Sequence, residues 1–374
     1  MRKYELSMSA EYVPEWGVTE AVREFFQNAI DEEVKDAGNK MFFRYDKETQ
    51  VMQIGNKHSE LEISTLLFGS TTKRENQEMI GNHGEGYKIA TVVLLRLGKK
   101  VVFRNYCRKE LWRPRLVKSR RYGGVLVPTF FVEQMPMWKE SPEHNLIIEI
   151  EGITQEEYQE IEKANLHLQK VERAKETSYG SILEGGKYVG KVYVGGLFIC
   201  VESGLEVGLD FKPRTVRLER DRSMVNSFDI KWYAARMIEE LNDANMMKRS
   251  LRSYTGTYIT AYRVPDDIKN EIAEEFIHQY GEKAVPVSNQ EDMEWIRKRG
   301  YKPIIVSESM KDVIIESKHY KDIKQGLEQK KEKERPLYER FCEFVKRIEN
   351  HLNTDEVAMV YEFADEIESL SKEE

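Results

Sequence analysis

Glu24, Asn28 and Asp31 lie in the run "EFFQNAIDE", and Gly81, Gly84 and Gly86 lie in the run "IGNHGEGYK". On a helix, Asn28 stands about 40° from Glu24, and Asp31 about 20° to the other side. The three side chains therefore share one face. An Asn oxygen is a hard, uncharged ligand for Mg2+. A carboxylate four residues before it can orient and deprotonate a water next to a phosphate. The ordinary alternative is an amphipathic helix whose acidic face is wet. Glycines directly before an apolar helix let backbone N–H groups approach an anion, and the helix N-terminus favours negative charge there.

These residues need a helix and a loop to hold them. Residues 18–33 read as that helix, with Ala21, Val22, Phe25, Phe26 and Ala29 on the side away from Glu24 and Asn28. Two short strands follow, "MFFRY" and "VMQI", joined by the polar turn "DKETQ". The helix after the glycines, Tyr87 to Leu97, is apolar on almost all sides and should be buried. The runs "KVVFRNY", "LWRPRL", "TFFVEQ" and "NLIIEI" read as strands. Few helices and a mainly antiparallel sheet make an α+β layered domain. Further on, "GKVYVGGLFICVE" reads as a hairpin turning at Gly195-Gly196. A helix is expected from about Ser227 to Met247, and then a small βαβ piece with parallel strands. The end is helical and charged, with an apolar stripe of Leu337, Phe341, Phe344, Val345, Ile348 and Leu352 expected to pack against the body.

The two chemical runs, in this order, resemble the GHKL ATPase superfamily. Its members include type II topoisomerase ATPase subunits, mismatch-repair MutL proteins, the ninety-kilodalton heat-shock chaperones, MORC proteins and histidine kinases. The family motif E-x-x-x-N-x-x-D is matched by Glu24, Asn28 and Asp31. The lid motif, S-x-T-K followed by I-G-x-x-G-x-G-[FY], is matched by Ser70, Thr72, Lys73, Ile80, Gly81, Gly84, Gly86 and Tyr87. "FGSTTKR" lacks the G-x-x-x-x-G-K-[ST] pattern, so no Walker A motif competes. The whole-chain pattern also looks like GHKL proteins carried by bacteriophages and prophages.

The resemblance implies a Bergerat-type α/β sandwich, a mainly antiparallel sheet with helices on one face. A smaller transducer-like α/β domain and a helical C-terminal region would follow it. It implies ATP and Mg2+ as cofactors, with Asn28 on the metal, Glu24 as general base and Asp31, Ser70, Thr72, Lys73, Gly81, Gly84, Gly86 and Tyr87 around the nucleotide. The expected divisions are an ATP-binding domain over 1–177, a transducer-like domain over 178–254, a βαβ segment over 255–320 and a charged tail over 321–374. "VRLERDRSMV" resembles the chaperone segment that sends an Arg to the γ-phosphate, in a register favouring Arg222 over Arg220. A salt-bridge cluster with Asp221 and Glu219 is the alternative. His83 is expected to pack in the lid. One motif departs. The family's D-x-G-x-G falls on "VMQIGNKHSEL", with Gly55 at the Asp position and Lys57 at the first Gly. Asn56, shifted by one, is the residue that could offer its amide to a base edge.

Composition excludes several other classes. The net charge is −7, which argues against a surface that coats nucleic acid but leaves room for a local basic patch. Cys107, Cys200 and Cys342 are far apart, which argues against a disulfide framework or zinc site. No apolar signal segment or membrane span is evident, so a cytoplasmic location is expected. The leading expectation is slow ATP hydrolysis coupled to lid closure or ATP-dependent homodimerisation, with a protein or nucleic-acid client. A nucleotide-gated binding module without turnover is the alternative, favoured by Gly55. A histidine kinase is disfavoured because about twenty residues precede the Glu24 helix.

Overall fold

A computed structural model describes residues 1–67, 85–135, 144–216, 226–321, 323, 325, 337–348 and 351–371. The expected site residues Ser70, Thr72, Lys73, Gly81, Gly84 and Arg222 lie outside the described residues, as do Ile80, His83 and Arg220. The chain divides into two compact units, Met1–Leu241 with Ser253–Thr255, and Asn242–Arg252 with Gly256–Glu374.

The first unit is α+β. Its main sheet contains β1 (Arg2–Glu5), β2 (Met41–Asp46), β3 (Val51–Asn56), β4 (Lys100–Asn105), β5 (Glu110–Lys118), β6 (Leu126–Gln134) and β7 (Leu146–Glu151). The order is β1-β6-β5-β4-β7-β3-β2, and every neighbouring pair is antiparallel. Alternation along the strands sends Met52, Ile54, Phe103, Trp112, Phe130 and Ile150 to one face. The helices α1 (Val18–Lys35), α2 (Gly86–Arg96) and α3 (Gln155–Lys163) cover that face. Phe25 of α1 and Tyr87 of α2 both meet the Phe103 ring edge-on, at 6.0 and 6.1 Å between centroids. The opposite face is polar, with Arg104 and Gln53 both bonded to Glu149.

A second sheet in this unit has the order β11-β10-β12-β9-β8. Its strands are β8 (Ala174–Glu176), β9 (Gly180–Leu183), β10 (Lys191–Val194), β11 (Leu197–Val201) and β12 (Gly208–Phe211). β10 and β12 are parallel, and the other pairs antiparallel. The hairpin turns where expected, with Gly195 at φ +56° and Gly196 at φ +79°. β8 precedes the expected boundary at 177/178 yet pairs with β9 beyond it. α4 (Ser227–Leu241) packs on this sheet through Tyr233, whose ring meets Phe211 and Tyr179.

The helix expected to run from Ser227 to Met247 is broken in two. Asn242 takes a left-handed conformation at φ +50°, and Asp243 caps a new helix by accepting from Met246 N. That helix, α5 (Ala244–Leu251), opens the second unit, with α6 (Asp266–Tyr280), β13 (Ala284–Val287), α7 (Gln290–Arg297), β14 (Lys302–Ile305) and α8 (Glu308–Ile315) after it. β13 and β14 run parallel, with α7 between them in sequence. The last helices, α9 (Leu337–Ile348) and α10 (Thr354–Ser371), pack against each other around Val345 and Ala364. Of the expected stripe, Val345 is buried and Phe344 exposed, so it is only partly covered; Met359 and Phe363 of the last helix are also exposed. Among the described residues, no helix is long and apolar enough to cross a membrane.

Candidate functional site

α1 begins at Gly17, whose N–H donates to the Glu20 carboxylate at 2.9 Å. The polar side of this helix is not wet. Glu24 and Asp31 are both fully buried, and Gln27 is nearly so. Asn28, on the same face as Glu24, is half-buried. The amphipathic alternative therefore fails for α1, since both its faces are covered. Burying two carboxylates costs several kcal/mol each unless partners compensate. Arg23 lies beside Glu24, with nitrogen and oxygen 3.8 Å apart, and its guanidinium sits 5.5 Å from the Trp16 ring. Asn28 Nδ2 donates to Glu24 O at 2.9 Å. That bond holds the nitrogen end of the amide, rather than the oxygen end, against the helix backbone.

The end of β3 is tied to α1 by a buried amide network. Asn56 Nδ2 donates to Ala29 O at 2.9 Å and to Asn39 O at 3.2 Å. Asn39 in turn donates to Ser59 Oγ at 2.8 Å and accepts from His58 N. Asn56 thus faces the helix layer, and its amide hydrogens hold the scaffold. Gly55 faces the other way. A Cβ there would lie 2.7 Å from Phe42 Cε1 and closer still to Leu146 O. The Asp aligned with Gly55 by sequence would project from the polar face of the sheet, away from α1.

The start of α2 carries the rest of the described site. Gly86 is its first residue, and Glu85 precedes it at the N-cap. Tyr87 is buried with its hydroxyl 2.9 Å from Thr65 Oγ1, and burial raises its pKa above the usual tyrosine range. Lys88, which sequence reasoning passed over, is fully buried. Its ammonium donates to Thr65 O at 2.9 Å and Leu67 O at 2.8 Å. Burial lowers its pKa to about 8, against an opposing effect of the Glu85 charge. Thr65 and Leu67 end the chain segment before residue 68, and Tyr87 and Lys88 begin the helix after residue 84. The two ends of the glycine-motif segment are thereby fastened together. A signal existed: a lone Lys in "YKIATVVLLRL" must find buried acceptors if the helix is covered on all sides.

α1 and α2 pack side by side on one face of the main sheet. The structure thus brings Glu24, Asn28 and Asp31 into the same helix layer as Gly86 and Tyr87. Among the described residues, no cluster of His, Cys, Asp and Glu could hold a metal ion. A lone Asn oxygen suits Mg2+ that arrives on phosphates and keeps several waters, because that ion needs only one or two protein ligands. The Asn28 geometry is compatible with this role. A cavity of about 420 Å3 in the second unit, lined by Leu251, Ile272, Phe276 and Met310 among others, contains none of these residues.

No family model matches the chain, and no curated protein matches its sequence. Two solved structures that it matches are of the ATPase region of Saccharomyces cerevisiae topoisomerase II. One, bound to ICRF-187 (dexrazoxane), has a TM-score of 0.28 and 11% identity over 42% of this chain and 46% of that chain. The other has a TM-score of 0.28 and 9% identity over 48% of this chain and 62% of that chain. In both, the match spans less than two thirds of the topoisomerase chain. A likeness this distant fixes neither fold nor activity.

Proposed function

We propose that this chain is a GHKL-type protein that binds Mg-ATP and hydrolyses it slowly. The observation that carries the reading is the pair of fully buried carboxylates, Glu24 and Asp31, on one face of α1 with half-buried Asn28 between them. A helix with no task on that face would leave these groups in water. In this reading the Glu24 carboxylate orients the attacking water and accepts its proton. Asn28 directs its oxygen to the metal, which supplies charge neutralisation at the phosphates when bound. Asp31 and Tyr87 shape the nucleotide pocket. The N-terminus of α2, from Gly86, presents backbone N–H groups to phosphate. Ser70, Thr72, Lys73, Gly81 and Gly84 complete the phosphate cradle and lid, and Arg222 meets the γ-phosphate. Nucleotide state would then act through lid closure or ATP-dependent homodimerisation on a protein or nucleic-acid client.

One observation favours the second reading, a nucleotide-gated binding module without turnover. The amide hydrogens of Asn56 are committed to Ala29 O and Asn39 O, so its side chain keeps only an oxygen that could accept from an adenine amine and offers no donor to the ring nitrogen beside it. The test is Mg-ATP binding and steady-state phosphate release for the wild type, Glu24→Ala and Asn28→Ala. Release lost in Glu24→Ala with binding retained supports the ATPase. Binding without release in the wild type supports the switch. Failure of the wild type to bind any nucleoside triphosphate refutes both.

A further inference from the structure

Leu111–Val132 holds Arg113, Arg115, Lys118, Arg120 and Arg121, and no Asp or Glu. The chain as a whole carries −7, so this run is a local reversal of sign. It is the β5–β6 hairpin. Arg113 is spent on Glu133 across the ladder, at 2.5 Å. Arg115, Lys118, Arg120 and Arg121 are exposed, and among the described residues none forms an ion pair. Lys118 lies on the last rung, opposite Leu126, and Arg120 and Arg121 occupy the loop beyond it.

That loop is braced. Ser119 is buried, donates through Oγ to Glu5 at 2.6 Å and accepts from Tyr122 N at 3.2 Å. Its backbone donates to Val125 O and accepts from Gly124 N. The Tyr122 hydroxyl lies 2.6 Å from Ser7 Oγ. Gly123 and Gly124, at φ +64° and +89°, close the turn. The backbone that presents Arg120 and Arg121 is therefore set before a ligand arrives, which reduces the ordering cost of binding. Two carboxylates come near from the neighbouring segment. Glu5 is engaged by Ser119, and exposed Glu11 follows Ala10, whose N–H donates to Leu126 O.

Arg forks match phosphate oxygens, and a nucleic-acid backbone offers closely spaced phosphates to several cations in one loop. A bilayer would also attract cations, but it favours aromatic or long apolar anchors beside them. Among the described residues of the loop and its flanking strands, the exposed apolar side chains are Val125 and Leu126, neither of them aromatic. We propose that the tip of the β5–β6 hairpin binds the phosphodiester backbone of nucleic acid without reading its sequence. This binding surface stands apart from the ATP reading and survives its failure.

The test is fluorescence anisotropy of a labelled DNA duplex with the full chain across a salt series starting at about 50 mM. The wild type should bind with a log–log salt slope of roughly −2 to −3, set by three phosphate contacts from Lys118, Arg120 and Arg121. R120Q/R121Q should lower the slope's magnitude by about 2 and weaken binding at low salt by about tenfold or more. K283Q/K318Q, which removes the same charge from exposed lysines of the second unit, should leave the slope unchanged. No duplex binding by the wild type would overturn the proposal. So would an unchanged slope in R120Q/R121Q, or an equal loss in K283Q/K318Q. Binding to phosphatidylserine vesicles without binding to the duplex would overturn it too, and assign the tip to a membrane surface.

Discussion

Asp210→Asn should stabilise the protein at pH 8 and leave its stability unchanged at pH 4. Asp210 sits on β12 between β10 and β9, in the interior of the second sheet. Burial pushes its carboxyl up from 3.8 to about 6, although the Gly196 N–H donates to it and His167 lies near. A raised acid pKa means that the folded state holds the proton more tightly than the unfolded chain does. Stability is then greatest below the unfolded value and falls as pH rises through the folded one. The window here runs from about pH 4 to just above pH 6. A rise from 3.8 to about 6 corresponds to about 3 kcal/mol as a ceiling. Asn keeps an oxygen for the Gly196 N–H and carries no charge to desolvate. The assay is denaturant unfolding of wild type and Asp210→Asn at intervals from pH 4 to 8. The difference between them should open with pH and level off above about pH 7. A constant difference, or a variant less stable at pH 8, would show that this carboxyl is solvated and refute the reasoning.

Three further substitutions probe the contacts around the site. Asn56→Asp restores a carboxylate at the position that faces α1, but sets it against Ala29 O and Asn39 O. It should cost about 3 kcal/mol or more in denaturant unfolding and leave Mg-ATP affinity no better. Lys88→Met removes the ammonium from Thr65 O and Leu67 O. It should cost roughly 2–4 kcal/mol and weaken Mg-ATP binding measured by calorimetry, whereas a merely structural role would leave the binding of the folded fraction intact. Gly55→Ala has no room beside Leu146 O and Phe42. It should lower the melting temperature by many degrees, or prevent soluble expression, because backbone rather than a flexible side chain stands in the way.

Much was legible from local pattern. The α1 helix, the "MFFRY"–"VMQI" hairpin, the buried Tyr87 helix and the Gly195-Gly196 turn each arise from a period or a turn preference that a few neighbouring residues set. So does the α+β class, because antiparallel strands and short connections leave few other layer arrangements. The alternation of β3 could also have been read further. It puts Met52, Ile54 and Asn56 on the side that faces the helices and Gly55 on the other. The break at Asn242 was missed because the apolar spacing continues across it. Only the left-handed backbone at Asn242 and the Asp243 cap end one helix and start another.

The sequence by itself determined which residues could do chemistry and which elements carry them, since residue type and spacing along a helix are local properties. Only the tertiary structure decided their environment. Burial of Glu24 and Asp31 depends on what packs over the second face of α1, which no helical period contains. The engagement of Asn56 depends on Ala29 and Asn39, far from it in the chain but adjacent where β3 meets α1. The fastening of Lys88 to Thr65 and Leu67 depends on α2 closing over the end of that segment. Desolvation and long-range hydrogen bonds arise between elements, so they enter only when the chain has folded.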